Sequence, residues 1–303
     1  MAKISSFVIF DIETTGLPRY ERNRTKITEL TFLAVHSRDI ETARNGHVPL
    51  INKLSYLFNP QRTIMPEVKD LTGLSNSALQ NQQIFEKRIQ SIISFLEELP
   101  KPVCLVAHNG NSFDFKLLQS EFIDAGAALP NDLLCVDSLW GFKKILKEFS
   151  LSQTVLPVLN CNGKSDDDLL TDDEDWPDFN TTAEEWAEID RLVDNFSNIS
   201  CQKDNPKSPS GQTKLSNPIK KIKMDKTEAI KNVFEKKPKT DNICCTLQAL
   251  YKRLLNKEAV NAHRSEADCI MLLECIVALK EQFIAYANEK CKLINTVKPF
   301  ERY

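Results

Sequence analysis

No stretch of this chain is apolar for long enough to cross a bilayer. The opening run Met-Ala-Lys-Ile-Ser-Ser lacks the apolar centre of a secretory leader, and the closing residues Lys298 to Tyr303 form no hydrophobic anchor. An intracellular, soluble protein of the cytoplasm or nucleus, without membrane contact, is the expectation. C-x-x-C pairs are also missing, although there are nine cysteines. An odd, scattered set argues against a zinc site and against a disulfide framework. Cys104, Cys135, Cys269 and Cys275 sit inside apolar patterns and read as small buried hydrophobes.

A net charge of −3 conceals an uneven distribution. Residues 161–200 carry 13 acids against Lys164 and Arg191, and residues 201–240 carry 11 lysines against 4 acids. Few residues between 157 and 240 could bury a shared face. The segment therefore reads as an inserted, low-complexity, disordered stretch, acidic and then basic, between the parts 1–156 and 241–303 of one domain. Within it Thr182–Phe196 could form a short acidic helix, and Lys220–Lys226 resembles a phosphate-binding or nuclear-localisation patch. The basic half could hold a polyanion, with the acidic half competing for the same surface.

The most informative run is Phe7-Val8-Ile9-Phe10-Asp11-Ile12-Glu13-Thr14-Thr15-Gly16-Leu17. It begins as a strand buried on both faces, and two carboxylates then interrupt it at positions i and i+2. Successive strand side chains point to opposite faces, so Asp11 and Glu13 project from the same one. Two buried like charges repel, and a divalent cation with a preference for hard oxygen ligands removes that penalty. A strand tip whose acids merely reach solvent would look the same, so the pair gains meaning only from partners downstream.

Further strands are expected at Ile27–His36, Ile51–Phe58, Val103–Ala107 and Leu133–Val136, the first three strands antiparallel and the next parallel to the first through a helical crossover over Ile84–Leu99. Pro60 to Ser77 reads as a loop, and a last helix is expected from about Asp268 to Asn288. Asp114 starts one helix. His263 precedes Asp268 by five residues, which places an imidazole on an approach loop and a carboxylate one turn into the following helix.

Three motifs now stand in order: F-D-I-E-T-T-G-L, A-H-N-G-N-S-F-D-F and A-H-R-S-E-A-D. Together they resemble the DEDDh exonucleases of the RNase H-like superfamily. Leu33–His36, Leu71–Ser75, Cys104–Gly110 and Val136–Ser138 narrow the resemblance to the three-prime repair exonucleases. It spans about residues 5–150 and 243–300. The resemblance implies an α/β, DnaQ-like fold with a five-stranded mixed sheet flanked by helices. It implies a metal-dependent 3′→5′ exodeoxyribonuclease that releases nucleoside 5′-monophosphates from single-stranded or frayed DNA 3′ ends, and a homodimer paired through sheet edges. Asp11, Glu13, Asp114 and Asp268 would hold two Mg²⁺ ions, Mn²⁺ being an alternative, with His263 as general base. Leu17 and Leu71 would wedge against the terminal bases, and Thr14 and Thr15 would meet the terminal sugar. Phe113 stands where mammalian members carry a tyrosine that contacts the scissile phosphate, so one phosphate hydrogen bond is lost. Trimming of RNA is the alternative activity. An inactive nucleic-acid-binding scaffold would be marked by a missing acid or histidine, and none is missing.

Overall fold

The computed structural model describes residues 3–154 and 245–302. Expectations about the insertion, its disorder, its acidic helix and its basic patch included, lie outside the described residues.

Strand β1, Ser6–Thr14, is the centre of the sheet. Val8, Ile9 and Phe10 are wholly buried because helices cover both of its faces. Phe7 and Ile9 belong to one core with Phe142, Leu250, Leu272 and Phe283. Val8, Phe10 and Ile12 belong to the opposite core with Ile92, Leu96, Phe115 and Leu118. β2, Ile27–His36, pairs antiparallel to β1, and β3, Asn52–Leu57, pairs antiparallel to β2. β4, Val103–Ala107, pairs parallel to β1, and β5, Leu134–Asp137, pairs parallel to β4. The five strands and their directions are those expected. A two-residue strand, β6 (Lys292–Leu293), adds to the edge of β5 and makes the sheet six-stranded, in the order β3-β2-β1-β4-β5-β6.

Nine helices accompany the sheet among the described residues: α1 Ser37–Thr42, α2 Pro66–Thr72, α3 Asn76–Leu79, α4 Ile89–Glu97, α5 Asp114–Asp124, α6 Ser138–Thr154, α7 Leu247–Leu255, α8 Ser265–Ala278 and α9 Lys280–Lys290. Two depart from expectation. The stretch 60–77, expected as a loop, contains α2 and α3. Pro66 sits in the first turn of α2, where its missing N–H is no loss, and Gly73 ends that helix with φ +73. The last helix is two, broken at Leu279, which lies outside helical geometry with φ −121 and ψ 31.

Candidate active site

β2 stays paired with β1 to Thr14, but β4 leaves it after Ile9↔Val106. The end of β1 therefore projects beyond its parallel neighbour, at the carboxyl edge where open α/β sheets form crevices. Asp11 and Glu13 lie there on the face that carries α8. Ser265 starts α8, and Asp268, one turn on, reaches the same spot. One carboxylate oxygen each from Asp11, Glu13 and Asp268 lies within 4.8 Å of the others. Asp114 stands beside this trio rather than within it. It is buried at the first residue of α5, and its carboxylate accepts the N–H of Ile12, a residue beyond the last β1–β4 pair. Its charge still acts on both Asp11 and Glu13.

At an effective dielectric near 20, two unit charges at this separation repel by about 3–4 kcal/mol. Three ionised pairs approach about 10 kcal/mol, the size of a whole domain's stability. The pKa values answer accordingly. Burial, then Asp268 and Glu13, raise Asp11 well above the ordinary carboxylate range. Burial, then Asp268 and Glu29, do the same to Glu13, with Arg264 opposing. Burial pushes Asp114 up to about 8, although its own N–H and that of Ile12 lower it. Asp268 is pushed up to about 6 by burial, against the lowering effect of the His263 N–H. So the acids either hold protons or share a cation. Hard carboxylate oxygens with two or three converging on one point fit a small divalent ion.

His263 has a left-handed backbone, φ +66, on the short loop between α7 and α8. Its N–H donates to Asp268 Oδ2 at 2.9 Å, which ties the imidazole to the acid cluster through the main chain. Burial lowers its pKa, so it is neutral at physiological pH and able to accept a proton. Gln248 Nε2 lies 3.4 Å from its Nε2.

A buried acid on β2 holds this loop. Glu29 stands directly across from Glu13. It accepts Arg264 Nε at 3.0 Å and Nη2 at 2.8 Å, and the Ser265 N–H at 3.1 Å. Thr31 and Ser265 join their hydroxyls at 2.7 Å. The head of α8 is thereby pinned to β2, and the charge of Arg264 offsets an otherwise uncompensated acid. Asp137 plays the matching part for the second motif. Fully buried, it accepts N–H bonds from Asn109 at 3.1 Å, Asn111 at 3.0 Å and Leu139 at 2.9 Å, and it fixes the loop that delivers Asp114. The sequence alone assigned no role to Glu29 or Arg264, and Asp137 stood out only within the stretch Val136–Ser138. The signal available was an acid inside an otherwise apolar strand, at Glu29 and again at Asp137.

The residues expected at the substrate fall out unevenly. Leu71, in the last turn of α2, is 36% exposed, and Leu17 is half-buried. Phe113 is half-buried and packs edge-on against Phe300, ring centroids 6.3 Å apart. Thr14 is buried and donates its hydroxyl to Gly16 O at 3.0 Å. Thr15 is spent internally: its N–H donates to Lys26 O at 3.0 Å, and its hydroxyl donates to Glu21 Oε2 at 2.7 Å while accepting the Lys26 N–H at 3.1 Å. With no exposed surface and every polar group engaged, Thr15 secures the loop after β1.

Carboxylates converging at a strand tip, a histidine tied to one of them and a mixed sheet with β1 at its centre describe a nuclease-like centre. The family model described as exonuclease, RNase_T, matches residues 8–161, just over half of the chain, and the chain belongs to that family. Over 163 residues it is 34% identical to human three-prime repair exonuclease 1, which covers 50% of this chain and 51% of that one. Over 146 residues it is 34% identical to human three prime repair exonuclease 2, covering 45% of this chain and 61% of that one. The chain thus matches between half and two thirds of the length of these relatives. A structure of the E. coli ExoI–ssDNA complex overlaps 51% of this chain and 32% of its own, at 16% identity and a TM-score of 0.38. The family match ends well before His263 and Asp268, and it is the fold that brings those two to Asp11 and Glu13.

Proposed function

We propose that the protein is a metal-dependent 3′→5′ exonuclease acting on DNA 3′ ends, single-stranded or frayed, and releasing nucleoside 5′-monophosphates. The observation that carries this reading is the convergence of Asp11, Glu13 and Asp268 within 4.8 Å, beside Asp114 and a neutral His263. In it Asp11, Glu13 and Asp268 would hold one divalent ion, Mg²⁺ or Mn²⁺, and Asp11 with Asp114 would support a second. Such ions would polarise the attacking water and the scissile phosphate. His263 takes the water's proton as the hydroxide attacks phosphorus, and the 3′ oxygen of the penultimate nucleotide leaves. Asp268 holds the His263 main chain, and Glu29 with Arg264 holds the head of α8, so base and ligands keep one relative position. Leu17 and Leu71 contact the terminal bases without reading their identity, and Thr14 sits nearest the terminal sugar. Phe113 offers an apolar surface with no hydroxyl for the phosphate. Pairing of two copies along the outer edge of β3 would give a homodimer.

The test is a gel assay on matched DNA and RNA 20-mers labelled at the 5′ end, with Mg²⁺ or with EDTA. A ladder shortening by single nucleotides on DNA, abolished by EDTA and by Asp268→Asn, is the expected result. Comparable shortening of RNA would reassign the substrate, and an intact substrate in every lane would refute the enzyme.

A further inference from the structure

The loop that leaves β1 just past the acid cluster carries Arg19, Arg22, Arg24 and Lys26 within ten residues of Leu17. Two of its five charges are engaged with named partners inside the fold. Lys26 folds back onto Glu121 at 3.1 Å and Asp124 at 2.8 Å. Glu21, the loop's one acid, is buried and takes the Thr15 hydroxyl at 2.7 Å and Arg62 Nε at 2.6 Å. Arg19, Arg22 and Arg24 are exposed.

The loop is a built object. Its backbone closes on itself through Tyr20 N to Leu17 O at 3.0 Å, Asn23 N to Pro18 O at 2.8 Å and Arg24 N to Glu21 O at 2.9 Å. Arg22 and Asn23 are consecutive non-glycine residues in the left-handed region, φ +51 and +58. Asn23 is held in it by its side chain, which donates to Glu301 O at 2.9 Å. In this loop Glu21 is buried and Arg22 is exposed. Tyr20 is 61% exposed, with the Arg19 guanidinium 4.5 Å over its ring. An exposed aromatic ring with a guanidinium beside it is a surface suited to a sugar-phosphate chain with unstacked bases.

Position supplies the partner. A cluster of carboxylates repels a polyanion, and charges screened over about 8–10 Å must be compensated locally. Leu17 follows Glu13 by four residues, so the loop begins no more than about 14 Å from the cluster. We propose that this loop is a nucleic-acid contact surface: Arg19, Arg22 and Arg24 take backbone phosphates of the strand leading into the site, and Tyr20 takes a base or sugar face. The assignment rests on the exonuclease reading above.

The experiment compares wild type with Arg19→Ala/Arg22→Ala and with Tyr20→Ala, all full-length, in steady-state digestion of a single-stranded DNA 20-mer across a salt series. The control is Arg38→Ala/Arg44→Ala, which removes equal charge at exposed positions on and after α1, at the opposite end of β1 and β2. The loop arginine pair should raise KM about tenfold with kcat little changed. It should also flatten the slope of log kcat/KM against log salt by about 1.4, the value for two phosphates on a single strand. Tyr20→Ala should raise KM several-fold without altering the slope, and the control should move neither. If KM and slope in the loop variants match wild type, or if the control shifts them equally, the assignment is wrong. A wild-type protein that digests nothing would instead overturn the exonuclease reading itself.

Discussion

At the scale of single residues, chemistry is set by buried acids and by the few donors that compensate them. Asp137 illustrates it, with three N–H bonds converging on one carboxylate. Asp137→Asn keeps the volume but sets an amide N–H₂ against one of those donors, so about 2–3 kcal/mol of stability should be lost, read by urea unfolding. Activity should fall as well, because the released loop carries Asp114. His108 gives a pH prediction. Burial lowers its pKa from 6.5 to about 4, Nε2–H donates to Cys245 O at 2.8 Å, and Nδ1 lies 3.1 Å from Ser138 Oγ. The folded pKa lies below the unfolded one, so the stabilising contribution is complete above pH 6.5 and is lost as pH falls towards 4. The stability difference between wild type and His108→Asn should shrink by about 2 kcal/mol from pH 7.5 to pH 5. A pH-independent difference would show that folding leaves the His108 pKa where it stands in the unfolded chain.

At the scale of elements, a few close contacts decide where the functional loops sit. Gly110 has no room for a side chain: a Cβ there would meet Phe115 at 2.7 Å and the Ala107 Cβ at 2.8 Å. Gly110→Ala should therefore force α5 away from β4, lowering stability by about 1–3 kcal/mol, and a calorimetric Tm checks it. The Glu29–Arg264 fork is the other such device. Arg264→Met leaves Glu29 buried and unpaired, and it should reduce kcat by about tenfold or more, in line with lost support for metal ligands. The double variant Glu29→Gln/Arg264→Met should lose less than the sum of the single changes, since each removes the other's penalty. Strict additivity in that cycle would mean the pair does not work as a unit.

Strand identity was legible in the sequence because β1 and β4 are nearly continuous apolar runs and β2 is an alternating, β-rich one, and a parallel crossover follows from the helix between β3 and β4. The acids were legible too, since carboxylates in buried strands stand out against their neighbours. Helices α2 and α3 were not. They are short, and Pro66 and Gly73 punctuate a helix and a turn alike. The division at Leu279 was hidden for a related reason: α8 buries residues on nearly all sides, so its periodicity carries no phase to break. The anchoring of Thr15 was not legible, because a threonine after two acids suits a ligand contact and a loop anchor alike, and only the position of Glu21 reveals the anchor.

At the scale of the whole molecule, the site is assembled from both ends of the chain. Asp11, Glu13 and Asp114 come from the first part, and His263 and Asp268 from the last. Between them lies a segment with a strong charge split, −11 over residues 161–200 from 13 acids and two cations. Removing residues 161–200 should tighten DNA binding, most at low salt, where unscreened acids repel phosphate most strongly. Fluorescence anisotropy with a labelled oligonucleotide reads this directly, and unchanged affinity at 50 mM and 200 mM salt would count against a competing role.

The central claim is that the three converging acids hold the cation on which cleavage depends. Titration of Mn²⁺ followed by electron paramagnetic resonance, on wild type and on Asp11→Asn, tests it without turnover. Saturable binding to wild type, weakened at least tenfold in the variant, is the predicted result. Equal binding by the two proteins would contradict the account, because the cation would then be held somewhere other than the tip of β1.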